Sequence, residues 1–140
     1  MTHLEVKSKE NIEAANYLYA RGLFAASVHC SYYSCVQQML HLLRSDLNKS
    51  EEEILLEEKE ASRQKLKSHV VLQNKIAQVL FTRDFNAVRE FNDDIGLLKE
   101  MRNKSDYKNI QIDSKFATKS LDLLHNITTI LQKYFNYGSE

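Results

Sequence analysis

The segment Met101–Tyr107 contains the residues whose types and spacing are best suited to chemistry. Arg102 follows Ile95 and Leu98 at the spacing of one helix face, so the pattern puts a cation where a hydrophobic residue is expected. A guanidinium there either pairs with Asp106, one helical turn on, or faces a phosphate or an acidic partner. Spacing alone favours the structural pair with Asp106, and the second interpretation makes Arg102 the first candidate site residue.

Histidines and further carboxylates form weaker patterns. His29 and Tyr33 are four residues apart and share a helix face, whereas His41 is expected at the surface among polar neighbours. No two histidines have the His-x-x-x-His spacing of a metal site, and Asp93 and Asp94 are consecutive, so their side chains diverge around a helix. The sequence also lacks glycine-rich phosphate loops and the Gly-x-Ser-x-Gly nucleophile motif. We therefore expect neither a metal nor a cofactor.

The composition of the 140 residues is that of an ordinary globular domain. Nineteen basic residues balance nineteen acidic ones, so the chain has no overall charge that attracts polyanions. This balance does not exclude a local basic patch. Cys30 and Cys35 are too few for a disulfide framework and are expected as buried or half-buried thiols. No apolar run approaches the roughly 20 residues of a membrane span, and the first residues have no signal-peptide pattern. We therefore expect a cytoplasmic protein with no membrane partner.

The elements that must position these residues are helices, because the sequence has no proline and three glycines, whereas strands joined by tight turns use more of both. Periodicity and capping residues predict helices at Ser8–Arg21, Phe24–Arg44, Ser68–Phe81, Asp84–Ser105 and from Asp113 or Ser114 onward. The charge-dense residues 45–67 are either a solvated helix that starts with the Ser50–Glu53 capping box or a mobile connection. We predict one all-α domain over residues 1–140, an antiparallel up-and-down bundle of four to five helices.

The second of these helices is predicted to be covered on two sides. One apolar stripe runs through Val28 and Tyr32, and a second runs through Tyr33, Val36 and Leu40. Such a helix is either central in the bundle or faces another subunit, and its small serines and alanines permit close approach of a neighbour. The helix that carries Arg102 has a single stripe at Phe85, Val88, Phe91, Ile95 and Leu98.

Four segments, in their order and spacing, resemble motifs of the HEPN domain family (higher eukaryotes and prokaryotes nucleotide-binding). Ala14–Ala26 resembles a helix end followed by the small-residue-rich start of the next helix, and Ser31–Cys35 resembles the family's aromatic segment. Lys67–His69 resembles its segment before the third helix, and Arg102–Tyr107 resembles its R-x-x-x-D-Y motif. The resemblance implies an up-and-down helical bundle, usually a homodimer. Many members are encoded beside a minimal nucleotidyltransferase, with which they form a toxin–antitoxin pair, so the resemblance also implies such a partner.

Ribonuclease members of this family carry a histidine a few residues after the motif arginine, and their dimer brings two such motifs together. Here Arg102 matches the arginine and Asn103 matches the polar residue that often follows, but Tyr107 stands where the histidine is expected. A tyrosine, with an ordinary pKa of about 10, is a poor proton acceptor at neutral pH. This departure argues against ribonuclease activity.

We therefore expect a binding or interaction module without ribonuclease activity, with a nucleotide or RNA at a local site near Arg102 and a nucleotidyltransferase as protein partner. The alternative is a metal-independent ribonuclease toxin that acts at a dimer interface, and a third option is a bundle without a small ligand. The homodimer is expected through the second stripe of the second helix or through the face near Arg102. The candidate ligand or interface residues are Arg102, Asn103, Asp106, Tyr107, Tyr33 and His29.

Overall fold

The chain folds into six α-helices, which this computed structural model describes over residues 2–45, 48–64 and 67–135. They are α1 (His3–Ala20), α2 (Phe24–Ser45), α3 (Glu51–Arg63), α4 (Ser68–Arg83), α5 (Phe85–Tyr107) and α6 (Ser114–Phe135). No strand occurs in these ranges, so the predicted all-α bundle is confirmed. Within the same ranges, no helix is both long enough and apolar enough to cross a membrane.

Helix α3 is the additional helix beyond the four to five that the sequence predicted. Of the two interpretations of residues 45–67, the helix is correct over Glu51–Arg63. The Ser50 hydroxyl accepts a hydrogen bond from the Glu53 N–H at 3.2 Å, as the predicted capping box requires. Residues 46, 47, 65 and 66 of that segment, and the tail 136–140, lie outside the described residues.

Capping residues explain most of the other helix boundaries. The Asp84 carboxylate accepts a hydrogen bond from a first-turn N–H of α5 at 2.9 Å, and Gly22 has a φ of 76° that lets the chain reverse after α1. The prediction that Ser8 starts α1 is wrong, because Thr2 supplies an equivalent cap and the helix begins directly after it. The Ser8 hydroxyl instead donates to the Glu5 carbonyl at 2.8 Å, within the helix.

Helix α2 lies at the centre of the bundle, where it contacts α1, α4, α5 and α6. The first stripe is buried, with Tyr32 1% exposed, whereas the second is covered in part, since Val36 is 5% exposed but Tyr33 and Leu40 are half-buried. The central-helix interpretation is therefore confirmed. Val36 and Leu40 of the second stripe line a groove beside α3 and α4, so the dimer interface expected there stays a prediction.

Small polar residues of α2 let α1 approach closely, as predicted. The Ser27 hydroxyl donates to the Ala15 carbonyl at 2.7 Å, and the Ser34 hydroxyl donates to the Ser8 carbonyl at 2.9 Å. All four residues are fully buried. These hydrogen bonds satisfy hydroxyl groups whose burial would otherwise destabilise the bundle.

His41 is buried, and the prediction of a surface position is wrong. Its Nδ1 lies 2.8 Å from the Thr2 hydroxyl oxygen, and its Nε2 lies 3.1 Å from the Glu5 carboxylate. Burial lowers the pKa of His41, and the charge of Glu5 opposes that shift. The sequence missed this contact because the covering residues belong to the first turn of α1, which was predicted to begin later.

The apolar stripe of α5 begins later than predicted. Phe91, Ile95 and Leu98 are buried in the core, but Phe85 is 69% exposed. As the first residue of its helix, Phe85 lies beyond the core and contacts Phe81 edge to face, with 5.5 Å between the ring centroids. The stripe that leads to Arg102 is therefore continuous only over the middle of the helix.

The two cysteines are free thiols, with Cys35 buried and Cys30 half-buried as predicted. Burial raises the pKa of both thiols, and the charge of Asp106 raises that of Cys30 further. Both side chains are therefore protonated and of low reactivity at neutral pH.

Candidate functional site

Three helices meet where α5 ends and α4 begins. Arg102 continues the face of Ile95 and Leu98, so its side chain enters the bundle at the level of two tyrosines on α2. The seven residues that these helices bring together are named the Arg102 cluster: Arg102, Asp106 and Tyr107 of α5, His29, Tyr32 and Tyr33 of α2, and His69 of α4.

Arg102 is held among aromatic rings. The residue is 8% exposed, and its Cζ atom lies 5.0 Å from the ring centroid of Tyr32, 5.6 Å from that of Tyr33 and 5.7 Å from that of Tyr107. A ring face at such a distance attracts a cation by about 0.5–2 kcal/mol, with the larger values in desolvated sites. The three rings explain how a buried cation is tolerated on an apolar stripe.

The Asp106 carboxylate lies closer to His29 than to Arg102. Its Oδ2 is 2.9 Å from His29 Nδ1 and 3.8 Å from Arg102 Nη1. The predicted pair between Arg102 and Asp106 is therefore present but long, whereas the contact with His29 has the length of an ordinary hydrogen bond. The Nε atom of Arg102 is buried and has no hydrogen-bond partner in the described part of the chain. The guanidinium thus keeps donor capacity that its own neighbours do not use.

The outer edge of the cluster faces solvent. Tyr107 is 73% exposed, and its hydroxyl accepts a long hydrogen bond of 3.5 Å from Arg102 Nη1. The His29 side chain is 49% exposed, and its ring centroid lies 4.7 Å from that of Tyr33. Exposed flat rings beside a buried guanidinium can stack a planar group while the cation holds an anion.

The inner edge of the cluster consists of Tyr32 and His69, with a hydrogen bond of 2.8 Å between the Tyr32 hydroxyl and His69 Nδ1. Burial raises the pKa of Tyr32 to about 12, although the charge of Arg102 opposes the shift. Burial also lowers the pKa of His69, and the charges of Lys99 and Arg102 lower it further. At neutral pH this pair is therefore an uncharged support beneath Arg102.

The outer edge also contains a pair suited to proton transfer. Because Asp106 engages His29 at Nδ1, the Nε2 atom is the nitrogen left to accept a proton from a substrate. The sequence placed Tyr107 where a motif histidine is expected, and the structure brings a histidine to the motif from another helix. Both anion binding and general-base chemistry are thus within reach of this geometry.

Five of the six predicted site residues lie in the Arg102 cluster, whereas Asn103 is exposed and takes part in none of its contacts. Sequence reasoning missed Tyr32, which was assigned to the core, and His69, which was assigned to the start of a helix. Two sequence features could have identified them: Tyr32 is next to the predicted site residue Tyr33, and His69 ends a segment that resembles a HEPN motif.

Among the described residues, no group of three or more histidine, cysteine, aspartate or glutamate side chains is arranged to hold a metal ion. In comparisons with known proteins, no family model, no curated protein and no solved structure matches this chain. The Arg102 cluster is therefore the feature of the molecule that points to a function.

Proposed function

We propose that the chain is a binding module that holds a nucleotide at the Arg102 cluster, rather than a nuclease. The observation that carries the proposal is the buried Arg102, whose nearest carboxylate is 3.8 Å away and is engaged by His29. A desolvated guanidinium with spare donors binds phosphate strongly, because charge-assisted hydrogen bonds are strengthened at low dielectric. A hydrophobic residue on this stripe would avoid the cost of desolvating a charge, so ligand binding supplies a reason for the arginine.

The exposed edge of the cluster suits the base of that nucleotide. Tyr107 and His29 present flat rings to solvent beside the guanidinium. Stacking of a base on an aromatic ring contributes about 1–3 kcal/mol and discriminates little among bases. We therefore expect all four nucleotides to bind, with modest preferences.

Isothermal titration calorimetry with the four nucleoside 5′-monophosphates and the matching nucleosides tests this proposal. Arg102→Met keeps an apolar side chain on the stripe but removes the charge, so we expect affinity for the monophosphates to fall by about tenfold or more. The nucleosides should bind both proteins equally weakly. Arg89→Met, at an exposed arginine of the same helix, is the matched control. Equal monophosphate affinity in Arg102→Met and wild type would reject the proposal.

The resemblance to the HEPN family supports two protein partners, a second copy of the chain and a minimal nucleotidyltransferase. The expected dimer interface is either the second stripe of α2, which is covered only in part, or the face near Arg102. Sedimentation equilibrium at micromolar concentration tests the dimer, and a monomer would contradict it. Co-purification with a nucleotidyltransferase encoded beside this chain tests the second partner.

A metal-independent ribonuclease is the second candidate function, and one observation favours it. His29 Nδ1 lies 2.9 Å from Asp106 Oδ2, next to Arg102. In such a reaction His29 Nε2 accepts the 2′-hydroxyl proton, the 2′-oxygen attacks the adjacent phosphorus, and the 5′-oxygen leaves and takes a proton from water. Arg102 would stabilise the phosphorane charge, and the product would be a 2′,3′-cyclic phosphate.

Incubation with single-stranded RNA in EDTA separates the two candidates. A binding module leaves the RNA uncut above background. Cleavage that is lost in both His29→Asn and Arg102→Met, but kept in a His125→Asn control on the exposed side of α6, would establish the ribonuclease and overturn the first proposal.

A further inference from the structure

The Arg102 cluster continues along α5 into a second group of cations. Lys99 precedes Arg102 by one turn and lies on the same face of the helix. The hairpin of α4 and α5 runs antiparallel, and Gln73 Nε2 donates to Asn92 Oδ1 at 3.2 Å across it. This register brings the start of α4, with the exposed Lys67 before it, level with Lys99.

The positive charges in this group act on one another, and the carboxylate that opposes them is Asp106, which lies 3.8 Å from Arg102 and one turn further along α5. The pKa of Lys99 is lowered first by burial and then by the charges of Lys67 and Arg102. The pKa of His69 is lowered by burial and then by Lys99 and Arg102. On the side of α3, the groove beside Lys67 is lined by one acidic and one basic residue, Glu58 and Lys59, whose charges balance. The local field between α4 and α5 is therefore positive.

The start of α4 adds donors to this field. Lys67 occupies the N-cap position, and its side chain makes no capping hydrogen bond. By contrast, Asp84 caps α5 by accepting from two first-turn N–H groups. Uncapped N–H groups and the positive end of the helix dipole favour an anion at this point.

The buried Nε atom of Arg102 is a separate observation in the same cluster, and the charge of Arg102 acts on His69 in the first turn of α4. This atom has no hydrogen-bond partner in the described part of the chain, and only 8% of the residue is exposed. Leaving such a donor unsatisfied is costly, and an acceptor with several oxygens next to the guanidinium would satisfy it. Arg102 therefore points to an anionic ligand independently of the helix start.

We propose that the start of α4, together with Lys67, Lys99 and Arg102, is a phosphate subsite, and that the ligand is a nucleoside di- or triphosphate. This inference rests on the proposed nucleotide site and orients the ligand within it. The phosphates lie toward Lys99, because Asp106 at the other end of the cluster repels them, and the base lies toward Tyr107. Lys99 and Asp106 are about 10 Å apart along the helix axis, which leaves room for more than one phosphate.

Calorimetry in EDTA at low salt tests the subsite with nucleoside mono- and triphosphates and with inorganic pyrophosphate. We expect wild type to bind the triphosphate about tenfold more tightly than the monophosphate. Lys99→Met and Lys67→Met should each remove most of this difference, because they should weaken binding of the triphosphate more than binding of the monophosphate. Lys104→Met is the matched control, because Lys104 lies on α5 but is paired with Glu100 at 3.2 Å. Circular dichroism checks that each variant is folded.

The outcomes separate the subsite from the proposed function. Arg102-dependent binding of monophosphate, with no gain from further phosphates, would overturn the subsite and leave the nucleotide site standing. Lys99-dependent binding of pyrophosphate, with nucleotides binding no better, would overturn the nucleotide site and support the subsite. Absence of binding for every probe would overturn both.

Discussion

The two halves of α5 turn the same face toward the interior of the bundle and place different chemistry on it. In the first half, Phe91 and Ile95 are 0% and 2% exposed in an apolar core. In the second half, the same face carries Arg102, which is almost as well buried but is surrounded by tyrosine rings. The difference lies in the partner helix, since α2 presents Tyr32 and Tyr33 at the level of the arginine.

This comparison separates stability from function along one helix. The first half removes apolar surface from water and so stabilises the fold. The second half desolvates a charge, and the surrounding rings and Asp106 offset only part of that cost. Substitutions in the first half should therefore affect mainly the stability of the fold, and Arg102→Met in the second half should affect mainly ligand binding.

The largest effect is expected in the first half of α5. Phe91→Ala removes a fully buried ring and should lower the free energy of unfolding by about 3–5 kcal/mol. Phe85→Ala is the matched control in the same helix, where the ring is 69% exposed, and should change the unfolding free energy by less than about 0.5 kcal/mol. Urea unfolding followed by circular dichroism measures both. Equal losses in the two variants would contradict the assignment of the core to Phe91.

A smaller loss is expected when the carboxylate of the second half is removed. Asp106→Ala leaves a buried guanidinium without its nearest carboxylate and takes the partner from His29 Nδ1. We expect the free energy of unfolding to fall by about 1–3 kcal/mol. Asp93→Ala, at an exposed aspartate of α5, is the control and should be nearly neutral. If both variants unfold at the same urea concentration, Asp106 contributes nothing to the stability of the cluster.

A still smaller effect on stability is expected for Arg102→Met, which continues the apolar stripe. Because the substitution removes the cost of burying a charge, the free energy of unfolding should stay within about 1 kcal/mol of wild type. Phosphate binding should be lost in the same protein. A stability loss as large as that of Phe91→Ala would show that Arg102 serves mainly to stabilise the fold.

The smallest effect concerns pH. Burial lowers the pKa of His69 and of His41 in the folded state, whereas an unfolded histidine has a pKa of about 6.5. Below that value the unfolded chain binds more protons, so the free energy of unfolding decreases as pH falls and is unaffected above it. Urea unfolding at about pH 7.5 and about pH 5 measures this slope. His69→Asn should reduce the slope, and an unchanged slope in this variant would show that His69 does not contribute to the pH dependence.

The fold was largely predictable because its signals are local. Helical periodicity and caps such as Asp84 and Gly22 depend on residues a few positions apart, and the structure agrees with them. The errors arose where distant residues compete. His41 is covered by Thr2 and Glu5 at the start of α1, where the Thr2-x-x-Glu5 spacing is a capping pattern that competes with Ser8.

The candidate site was predictable only in part. Arg102 stood out because it breaks a periodic pattern, and Asp106 followed from its position one turn on. Tyr32 and His69 join the cluster because α2 packs against α4 and α5. The periodicity of a single helix does not predict which helices pack against each other. The same packing brings His29 to Asp106 from a helix far away in sequence.

Helix α3 has a different consequence, for local opening of the native state. Its buried side chains in the described chain are Ile54 and Ala61, and Glu57 is held by Lys49 and Lys75 at the edge of a groove. An element with so little buried apolar surface opens at a lower free energy than the rest of the domain. Its backbone amides should exchange with deuterium before those of α2, and its basic residues should be the first that trypsin cleaves.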